Sequence, residues 1–335
     1  MVEKKVIFLF PGQGAQYPGM GLDFAELSAD AKKVFDTASQ IMGRDMIALI
    51  RDSDAETLKQ TDYSQPAICT ASLAAMVFLK EQGTVPIACA GFSLGEYPAL
   101  YCAGILSMED CFRLTDARGR AMQAAIEKIK AGFMGDPGEA PGMAAVIGLD
   151  PGQVEALMAE WKNSGLKDLY AANFNSSKQT AVSGTAEALT EAETRFKEAG
   201  AKRFLRLQVA GPFHSPLMKE AAEAFAPELD KVQFRDPAIM IFSNVTGKQI
   251  NSGEEAKALA LRQIVEALRW TDEEAELAAL QPEALLEAGP GKVLQGLWRD
   301  TGNAVPCYAA GTAAEILELK KNISQGNNLS NQETK

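Results

Sequence analysis

A short apolar run, Val85-Pro86-Ile87-Ala88-Cys89-Ala90, enters Gly91-Phe92-Ser93-Leu94-Gly95 and leaves into a helical pattern. A buried strand that turns sharply into a helix, with a serine at the turn, is a nucleophile elbow, and it commits the chain to an α/β architecture. The turn is too tight for a Cβ on either side of the serine, which accounts for both glycines. The geometry pushes the Ser93 hydroxyl into the open at a helix N-terminus, where free N–H groups and the helix dipole favour a developing oxyanion. The same five residues also describe an ordinary glycine-bracketed turn, so the motif needs partners.

A serine hydroxyl needs a base, and histidine is the usual one. The chain has one histidine in 335 residues, His214, in Gly211-Pro212-Phe213-His214-Ser215-Pro216. If histidine activates Ser93, no other residue qualifies; otherwise His214 is a hydrogen-bonded structural residue. A third candidate comes from periodicity. Ser107 reads as an N-cap with Asp110 three residues on, opening a helix to about Lys128. At 100° per residue, Cys111, Leu114, Met122, Ala125 and Ile129 share one apolar stripe, and Arg118 lies in its middle while Arg113 and Arg120 point away. A guanidinium facing inward must be matched, either by a structural carboxylate or by an anionic substrate.

An apolar content of 47% is ample for a buried core, and a formal charge of −11 argues against nucleic acid as the main partner. Cys69, Cys89, Cys102, Cys111 and Cys307 sit in apolar surroundings without metal-ligand spacing, and read as buried thiols of a reducing compartment. No signal peptide or membrane span is visible, so the expected location is the cytoplasm. Two phosphate-binding patterns fail on inspection. Gly12 and Gly14 lack the third glycine of a dinucleotide fingerprint, since position 17 is Tyr17, and Gly289-Pro290-Gly291-Lys292 lacks the rest of a P-loop.

Alternating strands and helices over the first 130 residues imply a largely parallel sheet, with Val6–Phe10 as a strand and Ala67–Gln82 as a helix opened by Pro66 at its first position. Pro98 predicts a distortion just inside the helix after Ser93. Residues 131–142 form a Gly/Pro-rich loop and a boundary. Beyond it the pattern reads strand (143–148), helix (151–163), strands (168–174 and 179–183), helix (186–199) and strand (203–209), the βαββαβ order of a ferredoxin-like unit. Residues 141–208 are therefore expected as a small subdomain inserted between 1–140 and 209–320, with a cleft that Ser93, Arg118 and His214 can all reach. After His214 come a helix (217–229), a strand (239–243), a helix (254–267), a sheet candidate (285–289) and a short helix (293–298). Residues 321–335 are polar and read as a disordered tail.

Taken together, Phe10-Pro-Gly-Gln-Gly-Ala-Gln16, Gln65-Pro66-Ala67, Gly91-Phe-Ser-Leu-Gly-Glu-Tyr97, Arg118-Gly119, Gly211-Pro-Phe-His-Ser-Pro-Leu-Met218, Ser243-Asn-Val-Thr-Gly247 and Glu287-Ala-Gly-Pro-Gly-Lys292 resemble the malonyl-CoA:acyl carrier protein transacylases of fatty acid and polyketide synthesis. The resemblance runs from about residue 4 to 312. It implies an α/β-hydrolase-like core with an inserted ferredoxin-like subdomain, and a ping-pong transfer of malonyl from malonyl-CoA to acyl carrier protein through a Ser93 ester. It implies His214 as base, the backbone N–H groups of Gln13 and Leu94 as oxyanion hole, and Arg118 as the clamp on the malonyl carboxylate. A backbone carbonyl at Gln263 would orient the histidine, and Phe213 would select malonyl over branched acyl groups. No cofactor or metal is implied, and a monomer is expected.

The sequence departs from the family pattern at Phe92, where histidine is usual, at the long 131–142 loop, and at Ala267-Leu268 before Trp270. A serine hydrolase or carrier-protein thioesterase would share Ser93 and His214 but has no use for a buried Arg118. A trans-acting polyketide acyltransferase would share all three, and a non-catalytic scaffold would have no reason to keep them. Carrier proteins are acidic, so Lys178, Lys202, Arg203 and Arg206 are candidates for a docking patch, or else form a solvated face.

Overall fold

The computed structural model describes residues 5–132 and 140–324. Among them are nine strands: β1 (Val6–Phe10), β2 (Pro86–Gly91), β3 (Gly142–Ile147), β4 (Leu169–Ser176), β5 (Gln179–Gly184), β6 (Arg203–Arg206), β7 (Met240–Ile241), β8 (Ala284–Glu287) and β9 (Cys307–Ala309). They form two sheets. One is parallel throughout, in the order β7-β2-β1-β8-β9, and the other is antiparallel, in the order β4-β5-β3-β6.

The β1 sequence is apolar at every position because both faces of the parallel sheet are covered. Phe8 and Phe10 pack among the helices that include Thr61–Glu81 and Met108–Ala131. Ile7 and Leu9 face the other way, into a cluster with Ala88, Ala90, Trp270 and Trp298. The antiparallel sheet has its own core of Val146, Trp161, Val182, Leu189, Phe196 and Phe204, in which Trp161 meets Phe196 edge-on at 4.6 Å between ring centroids. Every strand of the parallel sheet comes from the segments before residue 132 and after residue 207, and every antiparallel strand from the segment between.

Several boundaries differ from the sequence reading. The helix carrying Pro66 begins at Thr61, so Pro66 is interior. A proline there cannot bond the carbonyl four residues back. That carbonyl, on Asp62, instead accepts from Arg44 Nη1 at 3.0 Å. Pro98 costs no hydrogen bond. Ser93–Gly95 make a 3-10 turn and a new helix starts at Glu96, which places Pro98 in a first turn whose N–H groups have no internal partner. The strand expected at 239–243 shrinks to Met240–Ile241, and the helix expected to reach Ala267 stops at Arg262. Sequence reading missed β9 and the helices Leu22–Leu27, Ala29–Met42, Met46–Asp52, Trp270–Ala279 and Ala313–Ser324. Cys102 is only partly buried, unlike the other four thiols. Most of the 131–142 loop and the tail from 325 lie outside the described residues, and 321–324 complete a helix. Among the described residues no helix is long and apolar enough to cross a membrane.

Candidate active site

The elbow forms because β2 must reverse into a helix within three residues. A Cβ on Gly91 would lie 1.9 Å from the Gly95 carbonyl oxygen, and one on Gly95 would lie 2.0 Å from that of Phe10. Only glycine fits at either place. Between them Ser93 is forced to φ 52°, a left-handed conformation that serine adopts only when its surroundings hold it there. His214 is held likewise at φ 53°, in the loop that follows β6.

The two side chains meet, with Ser93 Oγ 2.9 Å from His214 Nε2. On the far side of the ring, His214 Nδ1 lies 2.7 Å from the carbonyl oxygen of Gln263. A carbonyl can only accept, so Nδ1 carries the proton and, in the neutral ring, Nε2 is left with its lone pair toward the serine. The ring is neutral over most of the pH range. Burial, and next the positive charge of Arg118, pull its pKa from 6.5 down to about 3. Gln263 is delivered by the turn that ends the Gly253–Arg262 helix. The chain beyond it is tied to β4, since Leu268 N–H donates to the Ala172 carbonyl and Phe174 N–H donates to that of Leu268, both at 2.8 Å.

Arg118 projects from the Met108–Ala131 helix, whose N-cap is Ser107 accepting from Asp110 N–H, as the sequence predicts. It is fully buried, while Arg113 and Arg120 are exposed. Its Nη1 donates to Gln65 Oε1 at 2.8 Å, and Nη2 donates to Gln263 Oε1 at 3.0 Å and to Ser93 Oγ at 3.3 Å. The guanidinium lies 5.6 Å from the centre of the Tyr97 ring, and its Nε has no partner. The side chains that accept from it are neutral, and among the described residues no carboxylate forms an ion pair with it, although the buried Glu96 carboxyl lies near enough for its charge to favour the guanidinium. A buried cation served by neutral acceptors, open to a cavity, is an anion site in waiting.

That cavity is a cleft of about 780 Å³, whose lining includes Gln13, Gly14, Gln65, Phe92, Ser93 and Arg118, Met143, Asn173 and the 206–210 segment, and Phe213 and His214. Gln13 lies beside the elbow, because the neighbouring Gly12 is packed so close that a Cβ there would be 2.5 Å from the Phe92 carbonyl oxygen. Leu94 N–H has no partner inside the 3-10 turn, whose first internal bond is Gly95 N–H to the Phe92 carbonyl at 2.8 Å. Phe92 packs edge-on against Trp270 at 5.4 Å between centroids. The structure thus brings together Ser93, His214, Arg118, Gln263, Gln13, Leu94 and Phe213. Lys178, Lys202 and Arg203 are exposed and outside the cleft lining, whereas Arg206 lines it.

Sequence reasoning gave no role to the side chains of Gln65, Gln263 and Asn244 or to the buried acids Glu96 and Glu273. Gln65 and Asn244 each fall in one of the motifs that carry the resemblance, Gln65-Pro66-Ala67 and Ser243-Asn-Val-Thr-Gly247, which was the available signal.

Parallel sheet, elbow, serine–histidine pair and buried cation define a class of α/β enzyme that moves acyl groups. Comparison with known proteins agrees. The acyl transferase domain model matches residues 7–334. A malonyl CoA-acyl carrier protein transacylase of Escherichia coli (strain K12) is 38% identical over 316 residues, covering 93% of this chain and 98% of its relative. The crystal structure of MCAT from Streptococcus pneumoniae superposes with a TM-score of 0.87 at 33% identity, over 95% of this chain and all of that one. A type II PKS acyl-carrier protein in complex with its malonyl-transacylase, PlMCAT:AntF, gives a TM-score of 0.85 at 34% identity, over 95% and 99% of the two chains. The chain belongs to the acyl transferase family and, within it, to the malonyl CoA-acyl carrier protein transacylases.

Proposed function

We propose that this enzyme transfers malonyl from malonyl-CoA to the phosphopantetheine thiol of acyl carrier protein through an ester on Ser93. The observation that carries the reading is Arg118, buried with no carboxylate ion-paired to it among the described residues and with Nη2 3.3 Å from Ser93 Oγ. An acyl group that carries its own carboxylate supplies the missing counter-ion and is held with its thioester at the nucleophile.

His214 Nε2 takes the serine proton as Oγ attacks the thioester carbon. The developing oxyanion is met by the N–H groups of Gln13 and Leu94, at roughly 3–4 kcal/mol per donor. The C–S bond breaks, CoA leaves as its thiolate, and His214 returns the proton to that sulfur. In the second half the carrier-protein thiol gives its proton to His214 and attacks the ester carbonyl. The C–O bond breaks and Ser93 is reprotonated. The carbonyl of Gln263 stabilises the imidazolium in both halves, in place of a triad carboxylate. Phe213 forms the wall that a branched acyl group would strike.

The strand order β4-β5-β3-β6, joined as βαββαβ, supports a ferredoxin-like subdomain at 141–208 on an α/β-hydrolase-like core of 1–140 and 209–320. The enzyme acts as a cytoplasmic monomer that needs no cofactor. The test is intact-protein mass measurement after brief exposure to malonyl-CoA, with Ser93→Ala as control, followed by holo acyl carrier protein. A malonyl adduct on the wild type alone, discharged onto the carrier protein, is the expected result. An adduct that decays to free acid and ignores the carrier protein makes the chain a hydrolase.

A further inference from the structure

With Ser93 as the nucleophile proposed above, we infer that Asn244 is a positioning residue for it, and that the buried carboxyl of Glu273 fixes the Asn244 amide in the orientation the elbow requires. The need arises from the Ser93 backbone at φ 52°, across which the turn itself places a single hydrogen bond, from Gly95 N–H to the Phe92 carbonyl at 2.8 Å. Two side chains distant in sequence hold its flanking peptides. Ser93 N–H donates to Asn244 Oδ1 at 2.7 Å, and Gln263 Nε2 donates to the Ser93 carbonyl at 3.0 Å. Gln263 Nε2 also donates to Asn244 Oδ1 at 3.1 Å, so the two amides brace one another.

The orientation of Asn244 follows from its partners. A backbone N–H only donates and a backbone carbonyl only accepts. Oδ1 therefore faces Ser93 N–H, and Nδ2 donates to the Gly91 carbonyl at 2.7 Å, which spans the elbow from its first glycine to its serine. The second Nδ2 hydrogen goes to Glu273 Oε1, also at 2.7 Å, and Asn244 N–H donates to Glu96 Oε2 at 2.8 Å. Asn244 and Glu273 are both fully buried, and Glu273 Oε2 has no partner. An acid is an expensive way to accept one amide hydrogen. It accounts for itself here because Oε1 takes the amide hydrogen that the Gly91 carbonyl leaves over, while a flip would set Oδ1 against the Gly91 carbonyl and an amide hydrogen against Ser93 N–H. Burial, and next the charge of Glu96, push the Glu273 carboxyl well above its ordinary pKa. The other ionisable groups around this point are Asp272 and Glu274 beside Glu273, and Arg118 and His214 beyond Gln263.

Asn244→Asp tests this. The new side chain keeps an oxygen for Ser93 N–H, but its second oxygen faces the Gly91 carbonyl and Glu273, and it can donate only when protonated. Rapid-quench acylation by malonyl-CoA, measured from pH 5.5 to 8.5, is expected to fall at least about tenfold in Asn244→Asp as pH rises, with no such fall in the wild type. The malonyl-CoA affinity, set by Arg118, stays within about twofold. Adding Glu273→Gln supplies an amide hydrogen to that second oxygen and is expected to restore the rate at high pH. An Asn244→Asp enzyme with the wild-type pH profile, or one that Glu273→Gln does not rescue, overturns the inference. Should Asn244→Asp not fold, Glu273→Leu decides: a lower acylation rate at unchanged affinity supports it, and an unchanged rate refutes it. Failure of the nucleophile reading shows separately, as a wild-type adduct that survives Ser93→Ala.

Discussion

Replacing Arg118 by alanine separates a carboxylate clamp from a merely structural cation. The clamp reading assigns to the guanidinium two charge-assisted hydrogen bonds to malonyl, each about 1.5–3 kcal/mol where water is excluded. Their loss raises the barrier from free enzyme and malonyl-CoA by about 3–6 kcal/mol, a drop in kcat/KM of between about 10²- and 10⁴-fold. An uncharged acyl group such as acetyl made no such bonds and loses nothing by their removal. It stands to gain, because Arg118 is one of the two causes that depress His214 as a base. The substitution also strips a donor from Gln65 Oε1 and from Gln263 Oε1, but the space vacated opens on the cleft and admits water. The assay is transfer from malonyl-CoA and from acetyl-CoA to one holo carrier protein, with a thermal melt to establish folding. Malonyl transfer collapses while acetyl transfer holds or rises. Equal losses for the two donors in a folded variant refute the clamp.

Two further perturbations bear on the site and its surface. His214 titrates at 6.5 when unfolded and at about 3 when folded, so between these values the unfolded chain binds the extra proton and stability falls as pH drops. At pH 5 that amounts to about 2 kcal/mol, so His214→Gln is expected to gain that much on the wild type in urea melts between pH 8 and pH 5; a constant difference refutes it. Lys202 and Arg203 are exposed where β6 begins, on the outer edge of the antiparallel sheet. Reversing both charges is expected to raise KM for the acidic carrier protein several-fold and leave KM for malonyl-CoA unchanged, and an unaltered carrier-protein KM removes them from the docking surface.

The catalytic pair, the elbow and the inward arginine were legible because each breaks a local rule: glycines on both sides of a serine, one histidine in the chain, a charge on an apolar stripe. The βαββαβ unit was legible because short apolar strands and longer helical runs follow one another in that order after a Gly/Pro-rich loop; the capping box that Asp150 closes with Gln153 fits it. What stayed hidden depends on tertiary partners. Pro66 reads as a helix start, and nothing local says that Arg44 will take over the carbonyl it leaves free. The turn after Arg262 ends a helix whose apolar pattern continues, because Leu268 is claimed by β4. Gln263 was placed by resemblance for its carbonyl, yet its side chain also bonds Arg118, Asn244 and the Ser93 carbonyl, an arrangement made across 170 residues of sequence.

Arg118 does more than select the acyl group, because its charge also sets the base. In the empty site it disfavours the imidazolium that must form during acylation. A malonyl carboxylate on the guanidinium cancels that charge, so the imidazolium becomes easier to form only when the right donor is bound. An acetyl donor leaves the charge in place. The coupling is directly readable, since the chain's one histidine gives one imidazole Cε1–H resonance. In Ser93→Ala, which binds the donor without reacting, the His214 pKa is expected to rise on saturation with malonyl-CoA and to stay put with acetyl-CoA. The sign follows from electrostatics alone: removing a nearby positive charge favours protonation. Equal shifts with both donors would mean that cleft closure and desolvation, not the carboxylate, govern the base, and Arg118 would then be left with selectivity as its only role.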